Sequence, residues 1–248
     1  MIVIKSEHEI RLMREAGKVC SLIFRELEDL IKPGISTKDI DDLVEKTVKE
    51  HGMKAAEKGY YGYPASVCTS VNEEVVHGIP SKDRILREGD IVSCDLVVEY
   101  KGYMADACRT YGVGNISEDA QHLIDTAERA FFDGIRNAVP GKRLRDISRA
   151  VQNTVEGEGF GVIRDFVGHG IGSEMHEDPQ IPNYVCAGPN PRLQKGMTLA
   201  VEPMICEGNW KVEVLDDDWT AVTVDGGWAA HYENTIVVTD GEPEIITL

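Results

Sequence analysis

No Cys-x-x-Cys pair occurs in this chain, although six cysteines are scattered through it: Cys20, Cys68, Cys94, Cys108, Cys186 and Cys206. That absence removes support for thiolate zinc sites and for thioredoxin-like redox chemistry. No apolar run is long enough to span a bilayer, so no membrane partner is expected. The N-terminus carries Lys5, Glu7, His8, Glu9 and Arg11 and lacks the apolar stretch of a secretory signal. The cytoplasm, with reduced thiols, is therefore the expected setting. Positive charge is also short: the formal net charge is -17. So acidic a surface repels phosphate, which argues against direct contact with nucleic acid or an anionic membrane. It does not repel a divalent metal ion or a free peptide amine.

What is present is a pattern that repeats. Apolar positions at helical spacing run from about Glu7 to Ile31, with Ser6 and Glu9 as a capping box and Pro33-Gly34 as the stop. A second helix is expected from about Thr37 to His51, capped by Ser36. The plan recurs as helices from about Ser117 to Val139 and from about Asp146 to Val155, with Pro140-Gly141 between them. One constant offset carries Phe24 onto Phe131, Pro33 onto Pro140, Gly34 onto Gly141, Val44 onto Val151, Thr47 onto Thr154 and Gly52 onto Gly159. So many coincidences indicate an internal duplication. The offset continues into strand-like segments: Leu86 falls on Leu193, Gly89 on Gly196, and Asp95 on Glu202, a carboxylate on a carboxylate. Each half reads as two helices followed by antiparallel strands. Together the halves, about 1–112 and 113–248, read as one α+β domain, a curved antiparallel sheet backed by helices with a pseudo-two-fold internal repeat.

The candidate chemistry sits on those strands. Asp90–Glu99 and Tyr103–Val113 are strand-like, and Lys101-Gly102 can form a two-residue hairpin loop. Such a loop pairs Tyr100 with Tyr103, sets Asp95 opposite Cys108, and leaves Asp106 on the same face as Asp95. A three-residue loop would put the two aspartates on opposite faces. Strand interiors disfavour Asp, and two buried like charges repel, so the pair needs compensation. The second half adds Glu202 at the end of an apolar run, Glu233 at the start of a strand, and His169 between Gly168 and Gly170. The glycines there do not form a dinucleotide fingerprint, because Pro179 and Pro182 prevent a helix from opening. Four carboxylates and one imidazole suit Mn²⁺, Fe²⁺, Co²⁺ or Zn²⁺. They carry more charge than one divalent ion neutralises, which points to two ions roughly 3.5–4 Å apart.

The set Asp95, Asp106, Gly-His169-Gly, Glu202-Pro-Met and Tyr-Glu233-Asn-Thr resembles the type I methionine aminopeptidases, over nearly the whole chain. The resemblance implies the pita-bread fold and removal of the N-terminal (initiator) methionine from nascent proteins and peptides by two-metal-activated hydroxide, with a small uncharged second residue preferred. It implies that Asp106 and Glu233 bridge two divalent cations, that Asp95 holds one, and that His169 and Glu202 hold the other. Glu202 would also shuttle a proton. His176 would steady the tetrahedral intermediate and His77 would meet the substrate amide. Tyr60, Tyr63, Cys68 and Trp219 would wall the methionine pocket. Two positions depart from the usual pattern: Met175 stands where Phe is common, and Glu57 where bacterial members often carry Cys. Met175 keeps the pocket apolar, whereas Glu57 alters its rim. A peptide or nascent-chain N-terminus is the expected partner, at the ribosome or away from it, and a monomer the expected state. Two rivals are a proline-specific peptidase on the same fold and a non-catalytic peptide- or RNA-associated relative that has lost its ligands.

Overall fold

Helix starts are set by short polar side chains that satisfy otherwise unpaired N–H groups. The computed structural model describes residues 1–248. Helix α1 (Glu7–Leu30) begins at Ser6, whose backbone N–H donates to Glu9 Oε2 at 2.6 Å while Ser6 Oγ accepts from the Glu9 N–H at 3.4 Å. Ser36 and Asp39 repeat the device at α2 (Thr37–Glu50). Ser117 caps α3 (Glu118–Ile135). At α4 (Leu144–Gly157) Arg143 stands where the first half has Ser36, and only the Asp146 carboxylate closes the cap, accepting from the Arg143 N–H at 2.9 Å. Three ends differ from the sequence reading by two residues or more, one of them the end of α4, at Gly157 rather than Val155. Helix α4 starts at Leu144 rather than Asp146, because the carboxylate acts from inside the first turn. Helix α3 stops at Ile135 rather than near Val139, because Asn137 and Ala138 turn back tightly on the Gly134 and Ile135 carbonyls.

The strands are β1 (Lys54–Ala55), β2 (Cys68–Val71), β3 (Glu74–Val76), β4 (Ile91–Tyr100), β5 (Tyr103–Gly112), β6 (Gly161–Val162), β7 (Gly168–Gly170) and β8 (Glu177–Ile181). Then come β9 (Thr198–Val201), β10 (Met204–Cys206), β11 (Val212–Val214), β12 (Ala221–Thr223), β13 (Ala229–His231), β14 (Glu233–Val237) and β15 (Glu244–Ile245). The main sheet runs β1-β4-β5-β14-β9-β7-β8, with β2 also on β4 and β15 also on β14. All its pairings are antiparallel. Its seam is β5 against β14, where Glu233 faces Cys108, so strands from both repeats share one sheet. Two three-stranded sheets, β13-β10-β6 and β11-β12-β3, flank it.

The duplication holds at the level of single hydrogen bonds. Gly34 N–H donates to the Leu86 carbonyl at 2.8 Å, and Gly141 N–H to that of Leu193 at 3.3 Å. Thr47 Oγ1 donates to Glu26 at 2.7 Å, and Thr154 Oγ1 to Asp133 at 2.9 Å. Gly34 and Gly141 have φ of 98° and 91°, a region that favours glycine, which accounts for the repeated Pro-Gly stop. Two cores of 26 and 23 buried residues form, one around each helix pair, with Ile171, Ala200, Val237 and Ile246 of the second half joining the first core and Ile91 of the first half joining the second. The helices cover one face of the sheet, and the opposite face is left for other work. No helix is long and apolar enough to cross a membrane, and all six cysteines are free.

Candidate metal centre

The turn between β4 and β5 decides which side chains meet. Tyr100 pairs with Tyr103, leaving Lys101 and Gly102 as a two-residue loop. Their φ angles of 51° and 84° are both positive, the type I′ arrangement whose twist matches the strands. Asp95 therefore lies opposite Cys108, and Asp106 opposite Val97. Cys94, Leu96, Ala105 and Ala107 point into the helix-side core, so the alternating Asp95, Val97 and Asp106 point away from it. Cys68 on β2 lies opposite Asp95 on that same face. From the other repeat, Glu202 follows directly on β9, Glu233 opens β14, and His169 is the central residue of β7. The flanking glycines are required. A Cβ on Gly168 would sit 2.5 Å from the Ala200 carbonyl oxygen, and one on Gly170 would overlap that of Asp178.

These residues line one cavity of about 300 Å³. Its wall holds Asp95, Asp106, His169, Glu202 and Glu233, and also His77, His176, Tyr60, Tyr63, Cys68, Met175 and Trp219. Every residue singled out from the sequence is thus brought to one place, Glu57 included. Phe166, Tyr61, Val97 and Val167 line it as well and carry no signal in the sequence. Phe166 packs edge-on to His77, with ring centres 5.4 Å apart. Tyr63 packs edge-on to Trp219 at 5.1 Å, and its hydroxyl donates to the Gly78 carbonyl at 2.9 Å. Tyr60 Oη lies 2.8 Å from His176 Nδ1.

The centre is crowded with acceptors. His169 Nδ1 is 2.9 Å from the Gly170 carbonyl oxygen. A carbonyl only accepts, so Nδ1 carries the proton and Nε2 presents a lone pair. That lone pair faces Glu202 Oε1 at 3.4 Å and Asp106 Oδ2 at 3.6 Å. Burial holds the ring neutral, with its pKa down to about 4. Asp95 Oδ1, Asp106 Oδ1 and Glu233 Oε1 are buried without a hydrogen-bond partner. Loss of hydration, and then the Asp106 charge, push the Asp95, Glu202 and Glu233 carboxyls well above the usual range. Loss of hydration, partly offset by hydrogen bonding with the Ala107 backbone and the Asp95 side chain, takes Asp106 to about 7. Such a cluster must either hold protons or hold cations. All of its inward atoms are oxygen or imidazole nitrogen, the donors that divalent ions take, so the residues fit divalent cations. Asp106, His169 and Glu233 offer ligand atoms within 4.8 Å of one another, and so do Asp95, His231 and Glu233. His231 is absent from the residues singled out in the sequence. Its place two residues before Glu233, on the same face if the strand is regular, is the signal the sequence offers.

Helices on one face, a seam joining two repeats and a buried ring of oxygen and nitrogen donors define a metal-dependent hydrolase. The chain belongs to metallopeptidase family M24, whose family model matches residues 11–240. Within that family it is similar to the methionine aminopeptidase of Clostridium acetobutylicum, 52% identical over 248 residues that cover 100% of this chain and 99% of that one. The crystal structure of the methionine aminopeptidase from Thermotoga maritima matches with a TM-score of 0.97 at 49% identity, covering 100% of this chain and 99% of that one. Prolidase from Pyrococcus furiosus, at 21% identity, shares the fold alone: the TM-score is 0.80, and the match covers 99% of this chain and 65% of that one. The fold is the expected pita-bread arrangement.

Proposed function

We propose that this chain removes the N-terminal methionine from peptides and nascent proteins and prefers a small uncharged second residue. The observation that carries this reading is the joining of an acceptor-only cluster and an aromatic-walled pocket in one cavity. Similarity to methionine aminopeptidases over the full chain supports it. Residues 1–248 act as one catalytic domain of two pseudo-symmetric halves, about 1–112 and 113–248. Asp95, Asp106, His169, Glu202 and Glu233 would hold two divalent cations drawn from Co²⁺, Mn²⁺, Fe²⁺ and Zn²⁺, with Asp106 and Glu233 the residues that would serve both. When bound, such ions polarise the first peptide carbonyl and lower the pKa of a coordinated water.

The protein's own groups do the rest. Glu202 takes up the proton released as water attacks and passes it to the leaving amine. With the Tyr60 hydroxyl as donor to His176 Nδ1, 2.8 Å away, the neutral ring carries its proton on Nε2, where it would stabilise the developing oxyanion. Burial, with His169 nearby, keeps that ring neutral by lowering its pKa to about 4. His77, pinned between Phe166 and Trp219, orients the substrate amide. Tyr63, Cys68, Met175 and Trp219 enclose an apolar slot in which a thioether gains contacts with aromatic edges. The enzyme works as a cytoplasmic monomer on exposed N-termini.

The test compares Met-Ala-Ser, Met-Lys-Ser and an Xaa-Pro peptide with the cation-loaded protein. Met-Ala-Ser should be cleaved fastest and the Xaa-Pro peptide hardly at all. Equal rates on Met-Ala-Ser and Met-Lys-Ser, or a preference for Xaa-Pro, would contradict the reading.

A further inference from the structure

The pseudo-symmetry reaches a residue that takes no part in the proposed mechanism. At the seam, Cys108 and Glu233 face one another as partners from the two repeats. Two residues after Glu233, the Thr235 hydroxyl accepts from the Asp106 N–H and donates to the Asp106 carbonyl, both at 2.9 Å. Two residues after Cys108, the Thr110 hydroxyl accepts from the His231 N–H at 3.0 Å and donates to the His231 carbonyl at 2.8 Å. The two clamps are equivalent. The approximate two-fold axis that exchanges Cys108 with Glu233 also exchanges Thr110 with Thr235, and Asp106 with His231. His231 therefore occupies in the second repeat the place that Asp106 occupies in the first.

The side chain is aimed accordingly. His231 is 1% exposed, and its Nε2 has no hydrogen-bond partner. That atom lies 3.5 Å from Glu233 Oε2 and 3.9 Å from Glu202 Oε2. His231, Asp95 and Glu233 offer ligand atoms within 4.8 Å of one another, a group that shares Glu233 with the one around His169. A buried histidine with a purely structural role satisfies both ring nitrogens. This one turns an unpaired nitrogen toward carboxylates from both repeats.

We propose that His231 is a sixth protein ligand of the metal centre and supplies a nitrogen to the cation held by Asp95. The assignment rests on the metal-dependent reading of the site. It gives each cation one imidazole, His169 on the Glu202 side and His231 on the Asp95 side. A second nitrogen donor shifts the site toward Co²⁺ and Zn²⁺ and away from Mn²⁺, which favours oxygen.

The experiment uses chelated full-length protein, Co²⁺ as the probe, calorimetric titration and X-ray absorption at the cobalt edge. The unaltered chain should bind two Co²⁺ with an average of one imidazole per ion. His231→Gln should halve that average and weaken one of the two binding steps ~10–100-fold, leaving the other in place. His169→Gln is the second variant and guards against a folding failure in the first: one imidazole should remain for the two ions. Equal imidazole counts in the unaltered and His231→Gln proteins, or no imidazole in His169→Gln, would overturn the assignment while the two-cation reading stands. If the unaltered chain binds no stoichiometric Co²⁺, both readings fall.

Discussion

A carboxylate placed inside a strand loses its water, and Asp95 and Asp106 lose theirs side by side. Such residues stand out because strands disfavour Asp, which makes this pair legible in the sequence alone. Glu202 and Glu233 are legible for a related reason, as charges at the edges of apolar runs. His231 is legible only through its place two residues before Glu233, since nothing local shows that its nitrogen is unpaired. Phe166 is silent, because its part is to pack against His77, a contact made by folding and absent from local sequence. On the proposed two-cation reading, Glu233→Ala or Asp106→Ala removes a ligand that would serve both cations. Turnover of Met-Ala-Ser should then fall by at least ~10³-fold, as losses of principal catalytic groups do. Steady-state kinetics at saturating Co²⁺ checks this, and near-normal turnover by either variant would refute the shared-ligand role.

Elements fix where those residues point. The type I′ hairpin at Lys101-Gly102 sets the parity of β4 against β5; the Lys-Gly pair marks a turn in the sequence, but the fold decides between a two-residue and a three-residue loop by pairing Tyr100 with Tyr103. The start of α4 is less readable, because Arg143 offers no capping hydroxyl where the first repeat has Ser36. The close approach of β7 to β8 and β9 is foreshadowed by the glycines around His169, but the identity of the neighbouring carbonyls is not. Gly170→Ala should force β7 from β8, since the new methyl group would meet the backbone of Asp178 rather than a movable side chain. A destabilisation of about 1–3 kcal/mol is expected, with His169 displaced and cation affinity reduced. Urea denaturation of the chelated protein, with Co²⁺ titration beside it, measures both effects. A variant as stable and as tightly binding as the parent would show that β7 has slack.

For the whole molecule, the duplication brings donors from both repeats to a single seam, and electrostatics links that seam to stability. Burial raises the Asp106 pKa from 3.8 to about 7 in the fold. Its contribution to stability is therefore complete below about pH 4 and lost as pH rises through about 7. Burial lowers the His169 pKa from 6.5 to about 4, so its contribution is complete above pH 6.5 and lost as pH falls through about 4. Above about pH 6.5, where the His169 contribution is complete, chelated protein should thus lose stability as pH rises to about 8 and the carboxylates ionise without partners. Added Co²⁺ should restore it increasingly over the same range, by about 2.7 kcal/mol when free cation exceeds Kd about a hundredfold. Thermal unfolding at several pH values checks the trend, and a cation gain independent of pH would argue against it. The repeat itself is legible in the sequence, because Pro-Gly stops and helix faces recur at one offset. The wall of the cavity is only partly legible, because its aromatic members come from loops with no period. The central claim is that acids from both repeats share divalent cations at the seam. Its most direct test is the metal content of the protein after Co²⁺ loading and exhaustive dialysis. Two ions per chain, reduced by Glu233→Ala, is the predicted result; a chain that retains no stoichiometric ion would contradict the account.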